Sequence, residues 1–156
     1  MTADLNTALS VSATGMTAQT TRLRVIAENI ANQDTTGSSP GADPYRRRTI
    51  TFEAKLDRAL GAETVAVKSI GKDEGDFPQR YDPANPAADT QGYVKLPNVN
   101  SFIEIMDMRE AERSYSANLS VMQASHWASE AGRSRWQAEA SSPRRTAGSR
   151  RAISIR

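Results

Sequence analysis

The sequence predicts an α+β protein in which an antiparallel pair of long N- and C-terminal helices, coiled-coil-like, flanks a small β-rich insert domain. Apolar residues step by three and four near both ends of the chain. The middle favours short strands between Pro, Gly and Asp residues. With 38% hydrophobic and 6% aromatic residues, we expect a modest core and apolar surface left for partners. We assign 1–33 to the first helix, 34–100 to the insert, 101–131 to the second helix and 132–156 to a basic, disordered tail.

The first helix is predicted from about Ala3 to Asn32, because its apolar positions alternate steps of four and three. Ser12 and Gln19 interrupt this stripe, and Gly15 is a weak point inside the helix. The apolar members are Leu5, Leu9, Met16, Leu23, Ile26 and Ile30. An ordinary amphipathic core helix and a heptad seam between helices both fit so few repeats.

The insert contains three candidate strands, which we place at 46–52, 64–70 and 93–96, with a loop or β-arm over 75–91. We expect it to project from one end of the helical pair. The run Arg46-Arg47-Arg48 has no interleaved aromatic residue and an acidic surrounding, so we interpret it as a solvated face rather than a nucleic-acid site.

The second helix is predicted to begin at Ser101, which forms an S-x-x-E capping box with Glu104. Its stripe steps by three and four through Ile105, Met108, Glu112 or the neighbouring Ala111, Tyr115, Leu119 and Met122. Tyr115 and Asn118 place a ring and an amide beside this stripe, where they suit register between helices or simple packing within the chain.

The helical pattern fails beyond Ser125. From His126 onward there are seven Arg and two Glu, a net charge of +5, whereas the preceding 125 residues carry −3. This tail alone gives the chain its basic balance. We therefore keep a second hypothesis open, that the tail binds nucleic acid or an anionic membrane, which salt-sensitive binding lost on deleting 126–156 would support.

The residue types do not indicate catalysis. The chain has no cysteine and a single histidine, His126, so we expect no His/Cys metal site, no cofactor and no Ser-His-Asp chemistry. Asp107 and Glu110 lie one turn apart, and a solvated face explains them better than an acid/base pair. The run 73–76 is acidic but lacks EF-hand spacing. No N-terminal signal and no stretch of ~20 apolar residues is visible.

Several blocks resemble the flagellar axial protein family, and within it the FlgC-type rod proteins of the flagellar basal body. The first is Ala27-Glu28-Asn29-Ile30-Ala31-Asn32, followed by Thr35-Thr36-Gly37. Further blocks in the family's order are Asp43 to Arg47, Arg80 to Pro83, Pro86 to Asp89, Gly92 to Asn100, Met106 to Ala111, Arg113 to Tyr115, and Ala117-Asn118. The resemblance covers residues 1 to about 125.

The resemblance implies a structural subunit of the proximal rod, with no enzyme activity, that transmits torque from motor to hook. Its localisation would be the periplasmic rod, reached through the flagellar type III export apparatus without a cleavable signal. The implied partners are rod subunits of the FlgB, FlgF and FlgG types and the FliE adaptor. The expected assembly interface is Leu5, Leu9, Met16, Leu23, Ile26, Asn29, Ile30, Asn32, Ile105, Met108, Tyr115, Asn118, Leu119 and Met122. Within it, Asn29 and Asn32 suit a helix end, where they can bond the last turn or the incoming loop.

One departure from the family stands out. Its members normally continue the second helix through further apolar heptads, but this chain abandons them just after Ser125. The abrupt change to Arg, Ser, Ala and Trp suggests a reading-frame change. Reading the coding DNA after the Ser125 codon in the other two frames tests this, because an apolar heptad should reappear in one of them.

Overall fold

The computed structural model describes residues 2–141, which form two helices with a small antiparallel β region between them. The elements are α1 (Thr2–Ala31), β1 (Arg48–Asp57), β2 (Ala62–Lys72), β3 (Gln79–Tyr81), β4 (Tyr93–Lys95) and α2 (Ser101–Ser141). The predicted α+β class is confirmed. No helix in the described part of the chain is long and apolar enough to cross a membrane.

The two helices pack against each other in antiparallel directions. Asn29 near the end of α1 hydrogen-bonds Glu104 near the start of α2, and Gly15 in the middle of α1 lies beside Asn118. Moving from the first pair to the second goes back fourteen residues along α1 and forward fourteen along α2, so the start of α1 lies opposite about residue 131 of α2, since both helices rise by ~1.5 Å per residue. The paired length of the two helices is therefore set by α1.

Helix α2 continues through Ser141, ten residues beyond the predicted boundary at 131. The residues 132–141 lack an apolar stripe, yet Ala, Glu, Gln and Arg extend a helix that is already formed. Part of the predicted disordered tail is thus helical. The remainder, 142–156, lies outside the described residues.

Strands β1 and β2 form a hairpin with a register shift between Thr51 and Phe52. Both are longer than the predicted strands, at 10 and 11 residues. Asp57 closes the turn, where its carboxylate accepts hydrogen bonds from the backbone N–H groups of Ala59 and Leu60 at 2.9 and 3.3 Å. Gly61 completes it with φ of 61°, a left-handed conformation that glycine adopts without strain.

The hairpin lies along α1, so the prediction that the insert projects from one end is wrong. Its base meets α1 at Asn29, and its tip, at Leu60 and Gly61, lies beside Ala8 and Val11. Ten paired residues span ~33 Å, close to the ~32 Å between residues 8 and 29 of a helix. Because an isolated two-stranded sheet is marginal in water, packing along the helix stabilises the hairpin.

The second sheet pairs β3, which lies inside the predicted loop or β-arm, with β4, which coincides with the predicted third strand. The rings of Tyr81 and Tyr93 meet edge to face at 5.3 Å between centroids. Gly92 has φ of 84°, and a Cβ there would lie 2.9 Å from the Tyr81 ring. Val94, the central residue of β4, is buried, as is Ala87 in the loop between the two strands.

Candidate assembly surface and the junction that positions it

Asn29 is the centre of a buried polar junction between α1, α2 and the base of the hairpin. Its amide oxygen accepts hydrogen bonds from the Tyr45 hydroxyl at 2.9 Å and the Arg48 backbone N–H at 2.8 Å. Its amide nitrogen donates to the Arg48 carbonyl at 2.9 Å and to Glu104 Oε2 at 3.1 Å. With only 1% of Asn29 exposed, these bonds satisfy a side chain that would otherwise be costly to bury.

Glu104 is the acidic member of the junction and is fully buried. Its Oε1 accepts a hydrogen bond from Arg47 Nε at 2.6 Å. Arg47 also approaches Asp73 and Asp107, each at 3.7 Å. The junction therefore joins the entry of the hairpin to the first turn of α2 by a charge-assisted bond in a site shielded from water.

The predicted capping box is wrong. The N-cap of α2 is Asn100, whose side-chain oxygen accepts hydrogen bonds from the backbone N–H groups of Phe102 and Ile103 at 3.0 and 3.3 Å. Ser101 instead hydrogen-bonds the Gln33 side chain. Glu104 has no capping role, because the Asn100 side-chain oxygen already accepts the hydrogen bonds of the first-turn N–H groups.

The Arg46-Arg47-Arg48 run is not a solvated face, because each residue has a specific partner in the fold. Arg46 stacks over the Phe77 ring at 4.1 Å and donates to the carbonyls of Asp73 and Gly75. Arg48 pairs with Glu28 at 2.8 Å, and Arg47 pairs with Glu104. The run fastens the hairpin to both helices.

Around Asn29, burial also raises the pKa of the Tyr45 phenol above 10.0, with Glu28 and Glu104 adding to the effect and Arg48 opposing it. The neutral phenol is the form that donates to Asn29. The junction therefore requires Tyr45 in its protonated form.

The seam between α1 and α2 is lined by small and polar side chains. On α1 it runs through Ser12, Gly15 and Asn29, and on α2 through Ala111 and Asn118. A Cβ on Gly15 would lie 2.8 Å from the Asn118 amide nitrogen, so glycine permits the close approach of the two helices. At Gly15, the residue that weakens α1 in isolation, an added methyl group would displace the Asn118 amide.

One side of the helical pair is covered by the hairpin. Ala18 and Val25 of α1 are buried, and Val25 lines a cleft with Ile50 and Phe52 of β1. Nearer the tip, Val11 lines an open cleft with Leu60. These α1 positions recur every seven residues, so they form one flank of the helix.

The opposite flank of α1 carries an apolar residue at each heptad and is not covered by the hairpin. In an antiparallel pair, equivalent flanks of the two helices lie on the same side, so two exposed α2 residues extend it. We call this set the apolar strip: Leu9, Met16, Leu23 and Ile30, which are partly buried, with Ile105 and Leu119, which are 43% and 38% exposed and have the exposed Glu112 between them at the same heptad position. The strip spans roughly 32 Å between residues 9 and 30.

Among the predicted interface residues, Ile26 and Asn29 are buried within the fold, and Asn118 lies beside Gly15 in the seam between the helices. Leu5, Met108, Tyr115 and Met122 are partly buried, as are the α1 residues of the apolar strip. The Asn32 amide donates to the Glu28 carbonyl at 2.8 Å and closes the last turn of α1.

The acidic residues considered for catalysis have structural partners. Asp107 and Glu110 contact Arg22 of α1 at 3.3 and 3.7 Å. The Asp73 carboxylate accepts a hydrogen bond from the Gly75 N–H. His126 lies 3.6 Å from Glu130 on the exposed surface of α2. Within the described residues no group of three His, Asp or Glu side chains could hold a metal ion.

Comparison with known families gives two matches, one for each helical end of the chain. Residues 9–37 match the family described as "Flagella basal body rod protein", and residues 90–126 match "Flagellar basal body rod FlgEFG protein C-terminal". Together with the fold, these matches define a structural protein of the flagellar rod class. The second match ends at residue 126, where the apolar heptads also end.

Three relatives, each described as flagellar basal-body rod protein FlgC, narrow this class. The chain is 58% identical over 118 residues to the protein of Agrobacterium fabrum, covering 76% of this chain and 85% of the relative. It is 40% identical to the protein of Borreliella burgdorferi, covering 78% and 90%, and 36% identical to that of Bacillus subtilis, covering 74% and 87%. The chain belongs to the FlgC family of flagellar basal-body rod proteins.

Proposed function

We propose that this chain is a structural subunit of the flagellar basal-body rod that assembles through the apolar strip on the hairpin-free side of its helices. The relatives named as rod proteins support the rod assignment. The observation that carries the assembly mode is that six aligned apolar residues lie on one side of the helical pair, uncovered by the hairpin that protects the other side. No catalytic role is needed.

Burial of the strip would contribute substantially to assembly. A fully buried Leu, Ile or Met contributes about 1.5–3 kcal/mol, and these six are already partly buried, so about half of that remains for each. The gross gain is about 5–9 kcal/mol per subunit. Association itself costs a comparable ~4–15 kcal/mol, so the strip needs further contacts to hold a subunit in a polymer.

We propose the location, export route and partners of the subunit from its membership of the FlgC family. The subunit occupies the proximal rod in the periplasm and transmits torque from motor to hook. It leaves the cell interior through the flagellar type III apparatus and contacts FlgB-, FlgF- and FlgG-type subunits and the FliE adaptor. Its terminal helices supercoil as a coiled coil with those of its neighbours. The second hypothesis, binding of nucleic acid or an anionic membrane by the tail, has no support among the relatives.

Peptide mass spectrometry of purified hook–basal bodies from the source bacterium tests the proposal. Peptides from 1–125 should be enriched in that fraction with other rod subunits. Their absence, with the protein recovered in a soluble fraction, would overturn the rod assignment. Peptides from 126–156 in the same data would refute the reading-frame change, whereas different C-terminal peptides joined at Ser125 would support it.

A further inference from the structure

The hairpin has an apolar outer face that no element within residues 2–141 covers. Along β2, Thr64 points inward and is buried, whereas Glu63 and Val65 on either side are exposed. Ala54 and Leu56 pair directly with these outward residues, so they share the same face. We call these four residues the hairpin outer face; Leu56 is 59% and Val65 45% exposed.

The start of α2 carries a second exposed apolar surface. Phe102 and Met106, one turn apart, are 73% and 51% exposed. Arg109 and Arg113 continue the same line along the helix, because residues spaced by three and four share a face. We call these four residues the α2 entry stripe.

The two surfaces lie at opposite ends of the molecule. The hairpin outer face is near the tip of the hairpin, which lies beside Ala8 at the start of α1. The entry stripe is at the start of α2, beside the end of α1. They cannot meet within one chain, but the end of one copy can meet the opposite end of the next.

We propose that the hairpin outer face of one copy docks on the α2 entry stripe of a second copy, head to tail. The inference rests on the proposed function and supplies a contact beyond the apolar strip. Leu56 and Val65 cover Phe102 and Met106, and Glu63 pairs with Arg109. Neither Glu63 nor Arg109 forms an ion pair within residues 2–141. Such a contact is heterologous, and it propagates along an axis when the rotation from one copy to the next does not close a ring.

Charge favours this pairing over the symmetric one. Two copies joined through their entry stripes would bring two pairs of exposed arginines onto one contact, and two joined through their hairpins would bring Glu63 toward Glu63. Like charges facing each other across a contact are unfavourable. Only the mixed pairing places an acidic residue against basic ones while covering both apolar surfaces.

Cysteine cross-linking tests the contact, since the chain has no cysteine of its own. Leu56→Cys and Phe102→Cys variants are purified, mixed and treated with a short bis-maleimide. A dimer should form in the mixture and not in either variant alone. A chain carrying both substitutions should give a ladder of oligomers, both in concentrated solution and in isolated basal bodies.

Matched controls use exposed positions off the two surfaces. Lys55→Cys replaces the neighbour of Leu56 on the other face of β1, and Gln123→Cys lies three heptads from Phe102 on the same face of α2. Neither should cross-link to the opposite partner. Equal yields from these controls, or dimers of Leu56→Cys with itself, would overturn the head-to-tail contact.

Exchanging the charges of Glu63 and Arg109 tests the same contact in a second way. Glu63→Arg or Arg109→Glu alone should lower the cross-linking yield about fivefold, and the double exchange should restore it. Lack of restoration would overturn the assigned pairing. Incorporation into basal bodies with no 56–102 cross-link in either setting would refute this inference and leave the rod assignment intact. A 56–102 cross-link in solution without incorporation into basal bodies would support the head-to-tail contact and refute the rod assignment.

Discussion

Replacing Glu104 by Ala should destabilise the chain far more than the same replacement at Glu28. Both glutamates lie on helices and pair with an arginine of the same Arg46–Arg48 run. They differ in environment, because Glu104 is fully buried whereas the Glu28–Arg48 side chains are 36% and 45% exposed. The comparison therefore isolates burial from helix propensity and from charge.

The loss of stability expected for Glu104→Ala depends on how well the unpaired Arg47 charge is compensated. Removing one partner of a fully buried pair costs ~3–5 kcal/mol. The Arg47 side chain keeps 24% exposure and approaches Asp73 and Asp107 at 3.7 Å, so its stranded charge is partly compensated. We expect Glu104→Ala to cost about 3 kcal/mol, at the low end of that range, and Glu28→Ala less than about 1 kcal/mol.

Urea denaturation of the purified protein, followed by circular dichroism at fixed salt, measures both values. Adding Arg47→Met to a Glu104→Leu variant should recover at least half of the lost stability, since an apolar pair can replace a buried ion pair. If Glu104→Ala costs no more than Glu28→Ala, within about 0.5 kcal/mol, the buried junction does not hold the fold together.

Gly15→Ala should stabilise the protein less than Gly132→Ala, because its Cβ would meet the Asn118 amide at 2.8 Å whereas Gly132 has open space around it; Asn118→Ala should remove this difference in a double variant. Stability should fall as pH rises above 10, because the raised pKa of Tyr45 makes the unfolded chain release that proton first, and Tyr45→Phe should flatten this decline while costing about 1 kcal/mol at neutral pH. Leu23→Asp in the apolar strip should block incorporation into basal bodies, whereas Thr20→Asp, on the exposed face one turn earlier, should not.

The overall architecture could be predicted from the sequence because it depends on local pattern. Apolar steps of three and four located both helices, and the Thr/Ile/Phe and Val/Ile runs located the hairpin strands. The end of α2 could not be located in this way. Its final ten described residues are helical without an apolar stripe, so the signal used for the boundary was absent there.

The buried junction was beyond sequence reasoning. Glu104 fits an S-x-x-E pattern, and its true partners, Arg47 and Asn29, lie 57 and 75 residues away. The signal that could have helped was Asn100, a strong N-cap residue placed one position before Ser101. With Asn100 as the cap, Glu104 falls on the inward side of the first turn.

The sequence pattern also does not separate the buried face of α1 from the apolar strip. Leu5 and Ile26 lie at one heptad position and Leu9 and Ile30 at an adjacent one, so together they form a single broad stripe in sequence. Only the position of α2, fixed by Gly15 and Asn118, separates the inward residues from the apolar strip. Periodicity identified residues that need burial but not the surface that buries them.

Attachment of the subunit to the rod through the apolar strip can be measured in the assembled organelle. Basal bodies are isolated from cells in which the chain is replaced by Leu23→Asp or Thr20→Asp and analysed by quantitative mass spectrometry, with urea denaturation confirming that both variants fold. We expect wild-type amounts of Thr20→Asp and near-complete loss of Leu23→Asp. Equal incorporation of the two folded variants would show that the strip is not the assembly surface.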